Sequence, residues 1–152
     1  MSDISIEPAS GRLVGDSHSM PIRIYYEDTD FSGVVYHASY LRFFERGRTE
    51  FIRAIGVDQK ALHQETGAAF VVRAMTVEFL RPARMDDVVA VTTRPHELRG
   101  PTLRLAQTIT RGADVLTTAE VTVVCVKDGR PLRLPEMLRA ALAAAQAAAA
   151  GR

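Results

Sequence analysis

The chain has 152 residues, with 19 Lys and Arg against 18 Asp and Glu for a formal net charge of +1, one cysteine and 47% hydrophobic residues. That length fits one domain around a single core, and the balanced charge excludes a whole-surface attraction to nucleic acid, so any basic site is local. One cysteine excludes an intrachain disulfide framework, and no stretch approaches the roughly 18 to 20 apolar residues of a membrane span.

Residues 1–19 mix Ser, Gly and Asp with scattered apolar groups and no period, which predicts a mobile arm. They also lack the basic start and apolar run of a secretion signal, so the protein is expected in the cytoplasm. Met20 to Tyr26 alternates apolar and polar over most of its length and predicts a strand. From Tyr40 the side chains of Tyr40, Leu41, Phe44, Phe51, Ile52 and Ile55, with Gly47 among them, recur at steps of three and four. That period predicts a helix of about four turns, which Gly56 ends. Asp58 caps a short second helix through Glu65, closed by Gly67. Four runs rich in Val, Thr, Ile and Leu follow, at 69–80, 87–97, 102–111 and 115–127. Their links are short turns, so the pairing is antiparallel. A last helix starts at Pro135 and frays through the alanine run of 140–150. The expected organisation is an arm at 1–19, one domain at 20–139 and an alanine-rich helix or tail at 140–152. The order of elements predicts an α+β fold in which a five-stranded antiparallel sheet curves around one long helix.

The chemistry falls in the acidic loop between the first strand and the long helix. Glu27, Asp28 and Asp30 crowd into four residues at a helix entrance, where carboxylates repel each other and become candidates for a raised pKa or a nucleophilic role. The alternative is that Asp28, Thr29 and Asp30 only cap the helix. If the chain is extended there, Asp28 and Asp30 point to opposite sides, so one of them faces a common pocket. Asp30 is the stronger candidate. His37 sits near the helix start, where free backbone N–H groups carry partial positive charge suited to an oxyanion, and Gly33 allows close backbone approach just before it. Glu45 either orients a water or pairs with Arg42 or Arg48 on the helix surface. Tyr26 reads as a half-buried strand aromatic or a site residue. Arg81, Arg84, Arg94, Arg99 and Arg104 make a basic β region, and Cys125 lies in an apolar strand, where a packed thiol is the expected state. His18, His37, His63 and His96 are too scattered for a metal-ligand motif, and no phosphate-binding glycine loop or nucleophile elbow occurs.

The run from Tyr25 through Glu45, with Glu27-Asp28-Thr29-Asp30, Gly33-Val34-Val35-Tyr36-His37 and Tyr40-Leu41, resembles the acyl-CoA thioesterases of the 4-hydroxybenzoyl-CoA thioesterase type. More narrowly it resembles their bacterial Tol-Pal-associated branch. The segment Val77 to Asp87 is similar to the one that closes the second strand in that family, and the resemblance covers about Met20 to Leu138. It implies the hotdog fold and hydrolysis of an acyl-CoA to free CoA and a carboxylic acid. Asp30 would act as nucleophile or general base, with His37 beside the thioester carbonyl and Tyr26 near the acyl group. Gly33, Val35 and Glu45 would line the substrate, and Glu45 is the fallback carboxylate because other branches place a catalytic glutamate on this helix. The resemblance further implies a homodimer or homotetramer with the acyl tunnel at the subunit boundary. No metal and no cofactor is expected, CoA being part of the substrate. Its phosphates need cationic partners, and Arg99, beside the Gly100-Pro101 turn, is the first candidate. Two rival readings remain: a non-catalytic acyl-thioester binding or scaffold protein of the cell-envelope machinery, and a hotdog enzyme acting on acyl carrier protein thioesters.

Overall fold

The structure, a computed structural model, describes residue 4 and residues 6–151. Strands β1 (Arg12–Val14) and β2 (Ser17–Arg23) open the chain, followed by a 3-10 turn at Tyr26–Asp28, helix α1 (His37–Ala54) and helix α2 (Gln59–Thr66). Strands β3 (Ala69–Phe79), β4 (Val88–Arg99), β5 (Thr102–Arg111), β6 (Asp114–Lys127) and the short β7 (Arg130–Pro131) lead to helix α3 (Glu136–Ala150). The sheet order is β1-β2-β4-β5-β6-β3, with β7 on β6, and every pairing is antiparallel. This is the expected α+β hotdog arrangement, with one sheet wrapped on one long helix.

Three expectations need correction. The sheet has seven strands, not five. Residues 12–14 and 17–19, expected in a mobile arm, belong to it. Their apolar signal is weak because each strand is short, yet His18 and Met20 are buried against the core while Ser17 and Ser19 are not. Helix α1 starts at His37 rather than Tyr40 and runs 18 residues, five turns. Met1 to Asp3, Ser5 and Arg152 lie outside the described residues.

Burial alternates along β4, where Val89, Val91 and Thr93 face inward, and along β5, where Leu103, Leu105, Gln107 and Ile109 do the same. Helix α1 buries Tyr40, Phe43, Phe44, Gly47, Phe51 and Ile52 against them, at the three and four residue spacing of an amphipathic helix. Helix α3 adds Leu138 and Leu142, both fully buried, to the same core. The turn after β6 is made by Asp128 and Gly129, both at positive φ, which matches the hairpin's twist.

Gly47 sets the depth at which α1 sits. A Cβ built there would lie 2.7 Å from Val91 Cγ1, 3.0 Å from Thr93 Oγ1 and 3.2 Å from Gln107 Nε2. Overpacking of this kind costs about 1–3 kcal/mol, whereas alanine gains only about 1 kcal/mol of helix propensity over glycine. Gly47→Ala should therefore lower stability by up to roughly 2 kcal/mol, read as a lower urea midpoint at unchanged m-value; a midpoint above wild type would contradict the tight contact.

Candidate active site

The acidic loop is held as a small closed ladder. Asp28 N donates to Tyr25 O and Tyr36 N donates to Asp28 O at 2.9 Å, while Asp30 N donates to Val34 O at 2.9 Å. Gly33 N closes the turn onto Asp30 O at 3.0 Å, with Gly33 at φ 86°, a left-handed value that a side chain would strain. The loop is then pinned to the segment after β3: Val35 N donates to Ala83 O at 2.9 Å, and Ala83 N donates to the Tyr40 hydroxyl at 3.0 Å. Burial raises the Tyr40 pKa, so the phenol stays neutral. On the far side of that segment Asp87 accepts from Arg84 N and from the Arg111 guanidinium, and those bonds lower its pKa.

The crowded carboxylates part company by environment. Asp28 is buried, and its Oδ2 accepts from Tyr25 N at 2.8 Å, which makes it a brace for the 3-10 turn. Asp30 is exposed, and its Oδ1 accepts from Ser32 N at 2.9 Å and Ser32 Oγ at 2.6 Å. Its Oδ2 has no hydrogen-bond partner among the described residues. The Ser32 hydroxyl is the main cause that lowers the Asp30 pKa, the opposite of the rise that crowding suggested. The result is an ionised carboxylate with one oxygen held and one free.

Helix α1 begins two residues beyond Val35, and its N-cap, Tyr36, makes no side-chain capping bond. Ser39 N turns back to Tyr36 O at 2.8 Å, which leaves the His37 and Ala38 N–H groups without intrahelical acceptors. Asp30 stands two residues out along the ladder from the Asp28 to Tyr36 rung, about 7 Å of extended chain from the helix start. The His37 ring is exposed and sits against Tyr36 at 4.6 Å and edge-on to Phe79 at 6.2 Å between centroids.

The other expected site residues scatter. Tyr26 is on the 3-10 turn rather than a strand and is 81% exposed. Val35 is a core side chain at 4% exposure, so it anchors the loop instead of lining a groove. Glu45 is exposed and makes no ion pair with Arg42 or Arg48 within 4 Å. Arg99 ends β4, whereas the Asp30 loop joins the β4 start through Ile24 N to Asp87 O. At about 3.3 Å per residue the two lie roughly 36 Å apart along β4, so Arg99 does not serve the Asp30 of its own chain. Arg84 is the cation beside the loop, bridged to Val34, and its guanidinium makes no ion pair among the described residues.

Sequence reasoning missed a polar cluster under α1. Gln107 Nε2 donates to Phe44 O and to Thr93 Oγ1, both at 2.9 Å, and Gln107 Oε1 accepts from Arg48 at 3.0 Å. Arg48 also lines a pocket of about 120 Å³ with Ile52, Phe70, Leu103, Leu105 and Val123. Its pKa falls below the ordinary arginine value because burial outweighs the pull of nearby Glu45. The signal available was the adjacency of Arg48 to Gly47, the glycine on the buried face.

The Thioesterase-like superfamily pattern matches residues 25–142, most of the chain and all of the site just described. The chain belongs to that superfamily. An acyl-CoA thioesterase of Haemophilus influenzae is 40% identical over 131 residues, 85% of this chain and 96% of the relative. An acyl-CoA thioester hydrolase of Escherichia coli O6:H1 is 48% identical over 121 residues, 78% of this chain and 90% of the relative. The crystal structure of a probable thioesterase from Bartonella henselae superposes with a TM-score of 0.76 at 43% identity, covering 78% of this chain and 99% of that one. The superfamily places the hotdog fold beyond analogy, and the described residues include no helix long and apolar enough to cross a membrane.

If the ionised Asp30 does the chemistry, kcat/KM falls as pH drops through its folded pKa, so the acid limb lies below the ordinary aspartate value of 3.8. Ser32→Ala removes the largest cause of the lowering and should move that limb to higher pH. A limb that stays put in pH–rate profiles of the two proteins would separate Asp30 from the reaction.

Proposed function

We propose that this protein hydrolyses acyl-CoA thioesters in the cytoplasm, releasing free CoA and a carboxylic acid. The observation that carries the reading is the pairing of Asp30, ionised with Oδ2 free, with an α1 N-terminus that no side chain caps. The thioester carbonyl oxygen docks at the His37 and Ala38 N–H groups, where the helix end offsets the charge that develops on it. Asp30 Oδ2 then attacks the carbonyl carbon, or takes a proton from the water that does. The C–S bond breaks, and CoA leaves as the thiolate and gains a proton; in the first route water then cleaves the acyl-aspartate anhydride, freeing the acid and restoring Asp30, and in the second the attacking water itself becomes the acid's second oxygen. The His37 ring, on the first residue of α1, lies at the end where the carbonyl docks and serves to orient the substrate or transfer a proton. Support comes from the relatives in Haemophilus influenzae and Escherichia coli, both named for acyl-CoA thioester hydrolysis.

The active form is a homodimer built on β3, alone or paired into a tetramer. β3 is a sheet edge, with four consecutive exposed residues at Val71 to Ala74, and carries no proline or lysine to blunt it. Exposed apolar side chains continue from it: Val71, Val72, Phe79 and Leu80 are each about half exposed, and Phe31 is fully so. Two-fold antiparallel pairing about the strand midpoint, Ala74, sets Phe79 of one chain against Ala69 of the other. That brings the His37 end of one subunit to the pocket beside Phe70 in its neighbour, and to the sheet end that carries Arg99, where a guanidinium is available to CoA phosphate.

Asp30→Asn keeps size and removes the charge, so hydrolysis of acyl-CoA should fall at least about 100-fold with the circular dichroism spectrum unchanged. His37→Ala should cost less, since the backbone donor survives. Near wild-type turnover in Asp30→Asn moves the assignment to Glu45 or to a thioester-binding role without catalysis. In light scattering at micromolar concentration the active species should have at least twice the 16.7 kDa chain mass, and a fully active monomer would refute the shared site.

A further inference from the structure

The pocket beside α1 contains a cation, Arg48, whose acidic neighbour on the pocket wall, Glu45, attracts it without forming an ion pair. Arg48 is half-buried and lines the cavity, yet no carboxylate comes within 4 Å of its guanidinium among the described residues. One of its five donors is committed, to Gln107 Oε1 at 3.0 Å. Gln107 in turn is fixed by Phe44 O and Thr93 Oγ1, so the guanidinium is held from behind by a buried, satisfied amide. The remaining wall is mostly apolar, from Ile52, Phe70, Leu103, Leu105 and Val123 among others, with Thr49, Gln59 and Glu45 as its polar members. A half-buried guanidinium with N–H donors to spare, fixed at one spot in a mostly apolar pocket, matches a carboxylate with two oxygens. Glu45 is the only acidic group lining the pocket, and it is exposed, where solvent screens its repulsion of an incoming anion.

We propose that the Arg48 pocket selects acyl groups that end in a carboxylate, so that the preferred substrates are short ω-carboxyacyl-CoA thioesters. The inference rests on the thioesterase reading and names the substrate class of that same site. The pocket volume of about 120 Å³ is below the ~150 Å³ of an apolar cavity that accepts benzene, which suits a short chain. In the dimer the thioester lies at the His37 end of one subunit and the acyl chain enters the pocket of its neighbour. Its terminal carboxylate meets the two guanidinium nitrogens not used by Gln107. Arg48 is thus a specificity residue and takes no part in bond breaking.

Two CoA thioesters of equal chain length, succinyl-CoA and butyryl-CoA, test the pocket. The wild type is expected to have a kcat/KM at least about 10-fold higher for succinyl-CoA, since a hydrogen bond to a charged group is worth that much or more. Arg48→Met should abolish the preference by lowering the succinyl-CoA value about 10- to 100-fold while butyryl-CoA changes little. Arg48→Lys, which keeps the charge and loses the fork, should fall between, and it serves if the methionine variant does not fold. Equal rates in the wild type, or equal proportional losses for both thioesters in either variant, would overturn the inference and leave Arg48 as a brace for Gln107. If neither thioester is hydrolysed the thioesterase reading fails, and the selectivity is then decided by calorimetric binding of the same two compounds, where tighter butyryl-CoA binding or no difference counts against it.

Discussion

Much of this protein depends on how closely one helix can approach one sheet. Gln107 is almost fully buried on β5 and spends both ends of its amide on satisfying other groups: a helix carbonyl at Phe44, a strand hydroxyl at Thr93 and the guanidinium of Arg48. A buried amide left without those partners would cost about 1–3 kcal/mol for each unmade bond. The bonds form only if α1 lies low on the sheet, and Gly47 is what lets it. The depth and direction of α1 are therefore fixed near its middle. Both ends inherit that placement: the N-terminus is aimed at the acidic loop, and Arg48 faces the pocket beside β3.

The loop itself uses one pair of aspartates in two ways. Asp28 turns inward and braces the chain, so its charge is answered by backbone N–H. Asp30 turns outward onto Ser32, which keeps it ionised while leaving one oxygen open. The ladder between them is anchored to the segment 83–87, which Tyr40 and Arg111 hold from below. A reactive carboxylate on a freely moving loop would sample many directions. Here the loop is a short, cross-braced hairpin leading into a helix, and few torsions separate Asp30 from the helix end.

A single chain leaves this arrangement open on one side. Phe31, Phe79, Leu80, Val71 and Val72 are exposed around an unpaired edge strand. Large contiguous apolar exposure of this kind marks an association surface. The pocket, beside Phe70, and the His37 end, beside Phe79, stand at opposite ends of that strand, and the two-fold pairing proposed above would join them.

The elements with a local period were legible in the sequence. Helix α1 shows itself because Tyr40, Phe44, Gly47, Phe51 and Ile55 lie three and four residues apart on one face, and β3 to β6 show themselves by β-branched runs between short turns. The acidic loop was legible too, since three carboxylates before a helix have few structural uses. What the tertiary structure alone decided are the groups whose role is set by partners distant in sequence. Gln107 and Thr93 look like solvent-facing strand residues until α1 brings the Phe44 carbonyl to Gln107 and the pairing of β4 with β5 brings Gln107 to Thr93. The strand at 12–14 is too short to signal and forms because β2 offers an edge to pair with, and β2 reaches back to Ser17 because its first residues pair with β1 and, from His18 on, with β4. Val35 reads as a loop residue but is buried, its N–H held by Ala83 O, and Arg99 stands at the far end of β4 from the Asp30 loop. Local sequence specifies contacts within about one helical turn or one strand pleat. Which polar side chain is buried, and which carboxylate is left free, depends on strand register and helix depth, and those are properties of the whole packed chain.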